Sequence, residues 1–161
     1  RCRWFNHKHI QQKTNNTIKE KLVNELEKRG VFNSMIVPQR VADLIKERVY
    51  LLSEVWDEAY YFYESPENYN IKNLKRLEEA SAASALISLN GYVSKNLGVR
   101  WEKAVDFVAK EQNMKKNLIL SAIRLALVGK FAGVSVFKIL NIIGKEESLK
   151  RINSLLSRLK E

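Results

Sequence analysis

Two arginines set among apolar residues are the positions of this chain best placed to do chemistry. Arg124 is the only charge in the run Ser121-Ala-Ile-Arg-Leu-Ala-Leu-Val128. An unpaired charge in such surroundings is costly, so it must reach a partner or water. Arg48 stands four residues from Leu44 and four from Leu52, beside the apolar stripe of a helix expected to begin near Pro38. A guanidinium offers N–H donors and no acceptor, so its natural targets are carbonyls, carboxylates, phosphates and the acceptor edges of bases. The competing readings are structural. Arg48 could pack its stem and send its head to water, and Arg124 could pair with a buried carboxylate.

Other combinations point less far. Trp56, Tyr60, Tyr61, Phe62 and Tyr63 form an aromatic cluster, which suits base stacking but suits a helix core better. Cys2, His7 and His9 lack any established ligand spacing, so no metal site is expected. Glu78-Glu79 and Glu146-Glu147 read as solvated helix faces. There is no glycine-rich phosphate loop after a strand and no nucleophile elbow, so no catalytic set is read from the residues.

The elements that must position these residues are helices. Two prolines and six glycines in 161 residues leave room for long ones, and no alternating strand pattern is present. Thr17 and Glu20 have the spacing of a capping box ahead of a face formed by Ile18, Leu22, Val23 and Leu26, with Gly30 as the stop. Val41, Leu44, Ile45, Leu52 and Val55 continue at helical spacing. Ser65-Pro66-Glu-Asn-Tyr-Asn70 is the best candidate boundary between domains. Helices are expected over 71–77, 80–96 and from Trp101 to about Gln112. The last third reads as helix, glycine loop, helix, glycine turn, helix, with stops at Gly129 and Gly144 and Ser135 as a helix start.

Charge narrows the partners. The chain carries 28 basic and 18 acidic residues, a net +10. Residues 1–30 hold 8 basic and 3 acidic residues, residues 31–113 hold 10 and 12, and residues 114–161 hold 10 and 3. Basic ends around a slightly acidic middle favour a polyanion, with nucleic acid ahead of membrane. No apolar run reaches the roughly 18 residues of a membrane span, and no signal peptide pattern is read. The single cysteine fits a reducing compartment, so a cytoplasmic location is expected.

The stretch from Ile123 to Ile152 resembles the C-terminal part of bacterial-type glutamyl-tRNA synthetases. Arg124-Leu-Ala-Leu-Val-Gly129 is similar to that family's Leu-Arg-x-Ala-Leu-Thr-Gly. Val136-Phe137, Gly144-Lys-Glu146 and Lys150-Arg-Ile152 are similar to its Leu-Phe-Glu-x-Leu, Gly-Lys-Glu and Arg-Arg-Ile segments. Arg3-Trp-Phe-Asn6 and His9-Ile10 extend the likeness to the N-terminal end, whereas Thr17 to Asn113 matches mainly in helical layout. The resemblance implies an all-α fold of two packed helical subdomains, the anticodon-binding helical cage of class I aminoacyl-tRNA synthetases. Residues 1–65 would be its N-terminal subdomain and 66–161 its C-terminal one.

The resemblance also implies a function: an anticodon-binding fragment of glutamate–tRNA ligase, recognising the anticodon loop of glutamate tRNA. The parent enzyme would join glutamate to tRNA with ATP and Mg. Its catalytic domain is expected ahead of Arg1, so this stretch is expected to need no cofactor and to be inactive alone. Arg124 matches the family arginine that contacts the first anticodon base, and Arg48 the one that reads the third. Gly133, Val134 and Val136 match positions around the middle base. Val134 stands where the family has proline, and Val128 where it has threonine, so backbone contacts are expected there rather than side-chain ones. Glutamate and glutamine anticodons differ at the third base, C against G. A donor-only arginine suits the acceptors of cytosine and meets mostly donors on guanine. The expected partner is tRNA, bound by a monomer with no membrane contact. The alternative is a free-standing helical RNA-binding or protein-interaction module.

Overall fold

The computed structural model describes residues 14–32 and 34–159. Cys2, His7, His9 and the motifs Arg3–Asn6 and His9–Ile10 lie outside the described residues. Among the described residues the regular structure is entirely helical, and no helix is long and apolar enough to cross a membrane. The chain forms two compact units, residues 1–64 and 65–161.

The first unit is built on α1 (Thr14–Lys28), α2 (Pro38–Ile45) and α3 (Val55–Tyr63). Ile18, Leu22 and Leu26 recur every fourth residue and are buried, so one stripe of α1 meets α2 and α3. Thr17 lies inside this helix, because Thr14 to Asn16 are already helical. The capping box expected at Thr17 is therefore absent as a helix start, since an N-cap needs non-helical backbone. Gly30 closes α1 with φ +73. The Val31 amide donates to the Leu26 carbonyl at 2.9 Å and the Gly30 amide to Glu27 at 3.1 Å, a Schellman ending.

Pro38 opens α2 at its first turn, as expected. The helix does not run on to Val55, however. It ends at Ile45, and two short 3-10 turns, Lys46–Arg48 and Leu52–Glu54, fill the interval. The Glu54 carboxylate accepts the amides of Tyr50 at 2.9 Å and Leu51 at 3.1 Å, so those donors are withdrawn from any helical ladder. Val49 still reaches the core. The apolar spacing thus persists through a segment that is not one helix.

The second unit packs α4 (Ile71–Glu79), α5 (Ala83–Lys95), α6 (Trp101–Glu111), α7 (Lys116–Val128) and α8 (Val136–Arg158). Helix α7 is the centre, with contacts to each of the other four. Ile119, Ala122, Ile123 and the whole run Leu125–Val128 are buried, each large aliphatic among them contributing about 1.5–3 kcal/mol by leaving water. Helix α8 is broken at Gly144, whose φ of 84 and ψ of 168 are not helical. Two helical segments therefore meet at that glycine, and Ile139 and Leu140 before it and Ile152 and Leu155 after it all reach the core.

Candidate nucleic-acid interface

The turn from α7 to α8 is fixed at three points. Gly129 ends α7 in a left-handed conformation, φ +91. A Cβ there would lie 2.7 Å from the Asn68 carbonyl oxygen and 2.9 Å from Pro66 Cβ, so the backbone approach itself requires glycine. The Asn70 amide donates to the Gly129 carbonyl at 2.8 Å. Two residues on, the Phe131 amide donates to Asn73 Oδ1 at 3.0 Å. The third point is Arg124, whose Nη1 donates to the Val134 carbonyl at 2.7 Å. Asn70 and Asn73 come from the start of α4, where Asn70 Oδ1 also caps the helix by accepting the Asn73 amide at 3.0 Å. The proline-bearing Ser65–Asn70 segment is thus part of the second unit and braces the glycine turn.

Around this corner Gly133 takes φ +127. Val134 and Val136 are only 7% and 5% exposed, so their side chains belong to the core and what they present is backbone. Ser135 occupies the N-cap position of α8, yet its hydroxyl makes no capping hydrogen bond. The first amides of α8 point out of the helix end, the usual state of a helix N-terminus. Arg124, Gly133, Val134 and Val136 are therefore brought together at one corner.

Arg124 is half-buried, and among the described residues no carboxylate is buried. The guanidinium holds loop backbone at the Val134 carbonyl. The buried cation is a different residue, Arg151, 2% exposed. Its Nε bonds Glu147 Oε1 at 3.0 Å and its Nη1 donates to the Leu127 carbonyl at 2.9 Å, so it satisfies a free carbonyl at the end of α7. Ser65 Oγ donates to the same Glu147 oxygen at 3.1 Å. Burial raises the Glu147 carboxyl pKa, but the Arg151 hydrogen bond and charge, with Ser65 and Lys150, outweigh it and hold it below its ordinary value. Glu147 is therefore no solvated face residue. The signal for this pair was the i, i+4 spacing of Glu147 and Arg151.

Arg48 lies in the first unit, at the end of the 3-10 turn Lys46–Arg48. Its side chain is 39% exposed and Nε bonds Glu58 Oε2 at 2.9 Å. That hydrogen bond raises the guanidinium pKa against the opposing effect of burial. The continuous stripe expected to run beneath Arg48 is absent, since α2 has stopped and Leu52 is exposed. The aromatic cluster divides. Tyr61 and Phe62 are core, while Trp56 and Tyr63 stack with ring centroids 6.4 Å apart and the Arg29 guanidinium lies 4.5 Å from the Trp56 ring. Among the described residues no group of three or more His, Cys, Asp or Glu side chains could hold a metal.

The second unit is thus an all-helical module with a basic C-terminal third and a pinned corner that presents backbone. A family model described as "Anticodon binding domain" matches residues 21–156, and the chain belongs to that family. It is 30% identical over 167 residues to a glutamate–tRNA ligase of Flavobacterium johnsoniae, covering 98% of this chain and 32% of that protein. A glutamate–tRNA ligase of Porphyromonas gingivalis is 31% identical over 160 residues, again with 98% and 32% covered. The chain thus spans about a third of the length of the curated relatives it matches. In fold it is similar to a glutamate tRNA ligase from Elizabethkingia meningosepticum solved in complex with its amino acid, with a TM-score of 0.84 at 24% identity over 98% of this chain and 32% of that one. A glutamate-tRNA synthetase from Elizabethkingia anophelis gives a TM-score of 0.70 at 23% identity over 96% of this chain and 31% of that one.

Proposed function

We propose that this chain binds tRNA through the anticodon loop, and that the tRNA is a glutamate tRNA, as part of a glutamate–tRNA ligase. The observation that carries the reading is the α7–α8 corner. There the half-buried Arg124 fixes the Val134 carbonyl, and a glycine-bearing loop opens onto the start of a helix. Sequence-specific recognition of RNA targets unstacked loop bases, which need fixed donors and acceptors to read them. In this reading Arg124 serves the first anticodon base. The backbone at Gly133, Val134 and Val136 surrounds the middle base, which agrees with the burial of both valine side chains. Arg48 serves the third base, held in orientation by Glu58 through Nε while its terminal amino groups carry the contact. The chain acts as a monomer in the cytoplasm and itself needs no cofactor; joining glutamate to the tRNA, with ATP and Mg, is the work of the longer ligase.

The test is a titration of the 161-residue chain with glutamate tRNA, with glutamine tRNA and with an unrelated tRNA at one fixed salt concentration. Tighter binding of the glutamate tRNA is expected. Equal affinity for all three overturns the assignment of sequence-specific recognition, and no binding to any overturns the RNA reading.

A further inference from the structure

We propose that a cleft beside α7 is a second nucleotide subsite, in which Arg76 and Lys115 hold a phosphate and Phe131 stacks the base of a nucleotide adjoining the one at the Arg124 corner. The proposal rests on the RNA-binding reading above and adds to it residues that the reading does not use. The cleft has a volume of about 200 Å³ and is lined by Arg76, Lys115, Asn117, Ser121 and Phe131 together with two leucines. Its size is below the roughly 300 Å³ at which pockets begin to enclose a whole small molecule, so it would take part of a nucleotide whose remainder lies outside on the surface.

Its chemistry is that of a nucleotide. Two cations line it and no carboxylate does. Neither Arg76 nor Lys115 makes an ion pair among the described residues, whereas the adjacent Lys116 is neutralised by Asp106 at 2.7 Å. Asn117 and Ser121 add neutral hydrogen-bonding groups that suit base edges or a ribose. Phe131 supplies the stacking face, and its backbone is already fixed by the Asn73 hydrogen bond at 3.0 Å, so little ordering is left to be done on binding.

Position ties the cleft to the corner. Asn117, Ser121 and Arg124 are spaced four and three residues apart, which places them on one face of α7. They form a polar stripe along a helix whose residues Ile119, Ala122, Ile123 and Leu125–Val128 are core. From Ser121 to Arg124 the helix rises about 4.5 Å, at ~1.5 Å per residue, comparable with the ~3.4 Å step of a stacked strand. Phe131 sits in the same loop that Arg124 fastens at Val134. One strand can therefore pass from the corner into the cleft without leaving this surface.

The test uses an anticodon stem-loop RNA and versions of it with one loop base removed at each position in turn. These are titrated against the wild-type chain, Phe131→Leu, and the double variant Arg76→Gln/Lys115→Gln over a range of salt. Phe131→Leu is expected to weaken binding about ten-fold, and the loss should vanish on the one RNA whose missing base is the stacked one. The double variant should lower the slope of log K against log salt by roughly 0.7 for each phosphate released. Both altered cations are exposed, so this variant keeps the test valid if Phe131→Leu proves unstable. Wild-type binding with unchanged affinity and slope in the variants overturns the subsite and leaves the anticodon reading standing. Absence of wild-type binding overturns both.

Discussion

In the proposed anticodon reading Arg48 carries the discrimination, and its setting separates recognition from folding. The guanidinium is well exposed and its ion pair is with Glu58, itself partly exposed. Such a pair is worth only about 0.2–1 kcal/mol to stability. Arg48→Gln should therefore melt close to wild type. In the proposed reading the effect on binding is larger, because glutamine brings an acceptor where the guanidinium had only donors and should no longer reject guanine. The ratio of affinities for glutamate and glutamine tRNAs is expected to fall by the equivalent of about 1–3 kcal/mol. A preserved ratio with unchanged melting returns Arg48 to a surface ion pair. Gly129 gives the opposite case, a residue that matters to folding first. Its φ of +91 and the 2.7 Å approach of the Asn68 carbonyl each resist a side chain. Gly129→Ala is expected to cost roughly 2–3 kcal/mol from the left-handed backbone and the displaced neighbour together, read as a lowered midpoint in urea. A variant as stable as wild type would show that the Pro66–Asn68 segment yields freely.

At the scale of elements, the end of α7 depends on α8 through Arg151 and Glu147. The Glu147 carboxyl is held below its ordinary value in the folded chain. A depressed carboxyl contributes stability that is complete above the unfolded pKa, near 4.5, and is lost as pH falls through the lower folded value. Stability should therefore decline on acidification below about pH 4.5, and Glu147→Gln should flatten that decline. Urea midpoints at pH 6 and pH 3 check this; an equal loss in wild type and variant removes Glu147 from the account. The same element scale shows what sequence could and could not convey. The helices of the second unit were legible because their apolar residues recur at 3.6-residue spacing and because Gly129 and Gly144 mark the stops. The interval between α2 and α3 was not. Its apolar spacing is that of a helix, while its backbone is decided by Glu54 capturing the amides of Tyr50 and Leu51, a contact no periodicity displays. Arg124 stood out as a charge in an apolar run, but its target is the backbone carbonyl of Val134 ten residues away, which becomes visible only once the loop has folded back. Arg151 was hidden for the converse reason: beside Lys150 and after Glu147 it looks like any surface charge, and only the packing of α8 on α7 buries it.

For the whole molecule, charge and specificity separate in one experiment. The chain has a net charge of +10, and residues 114–161 hold 10 basic against 3 acidic residues. A surface of this sign binds RNA partly by releasing the cations condensed on phosphates, so log K should fall linearly with log salt. The slope counts phosphates engaged, at about 0.7 each for single-stranded segments, and a contact set of about four gives a slope near −3. Phosphate contacts position the RNA without reading sequence. The anticodons of glutamate and glutamine tRNAs share the same kind of phosphate backbone and differ at the base that Arg48 is proposed to read. Both should therefore lose affinity in parallel as salt rises, while the ratio between them stays constant. Arg48→Gln should then lower the ratio at every salt concentration with little change in slope, because it alters a base contact rather than a phosphate one. A ratio that shrinks toward one as salt increases would mean that discrimination comes from electrostatics of the backbone, and Arg48 would lose its role as the reader of the third base. A flat dependence of affinity on salt would remove the polyanion reading of the basic ends altogether.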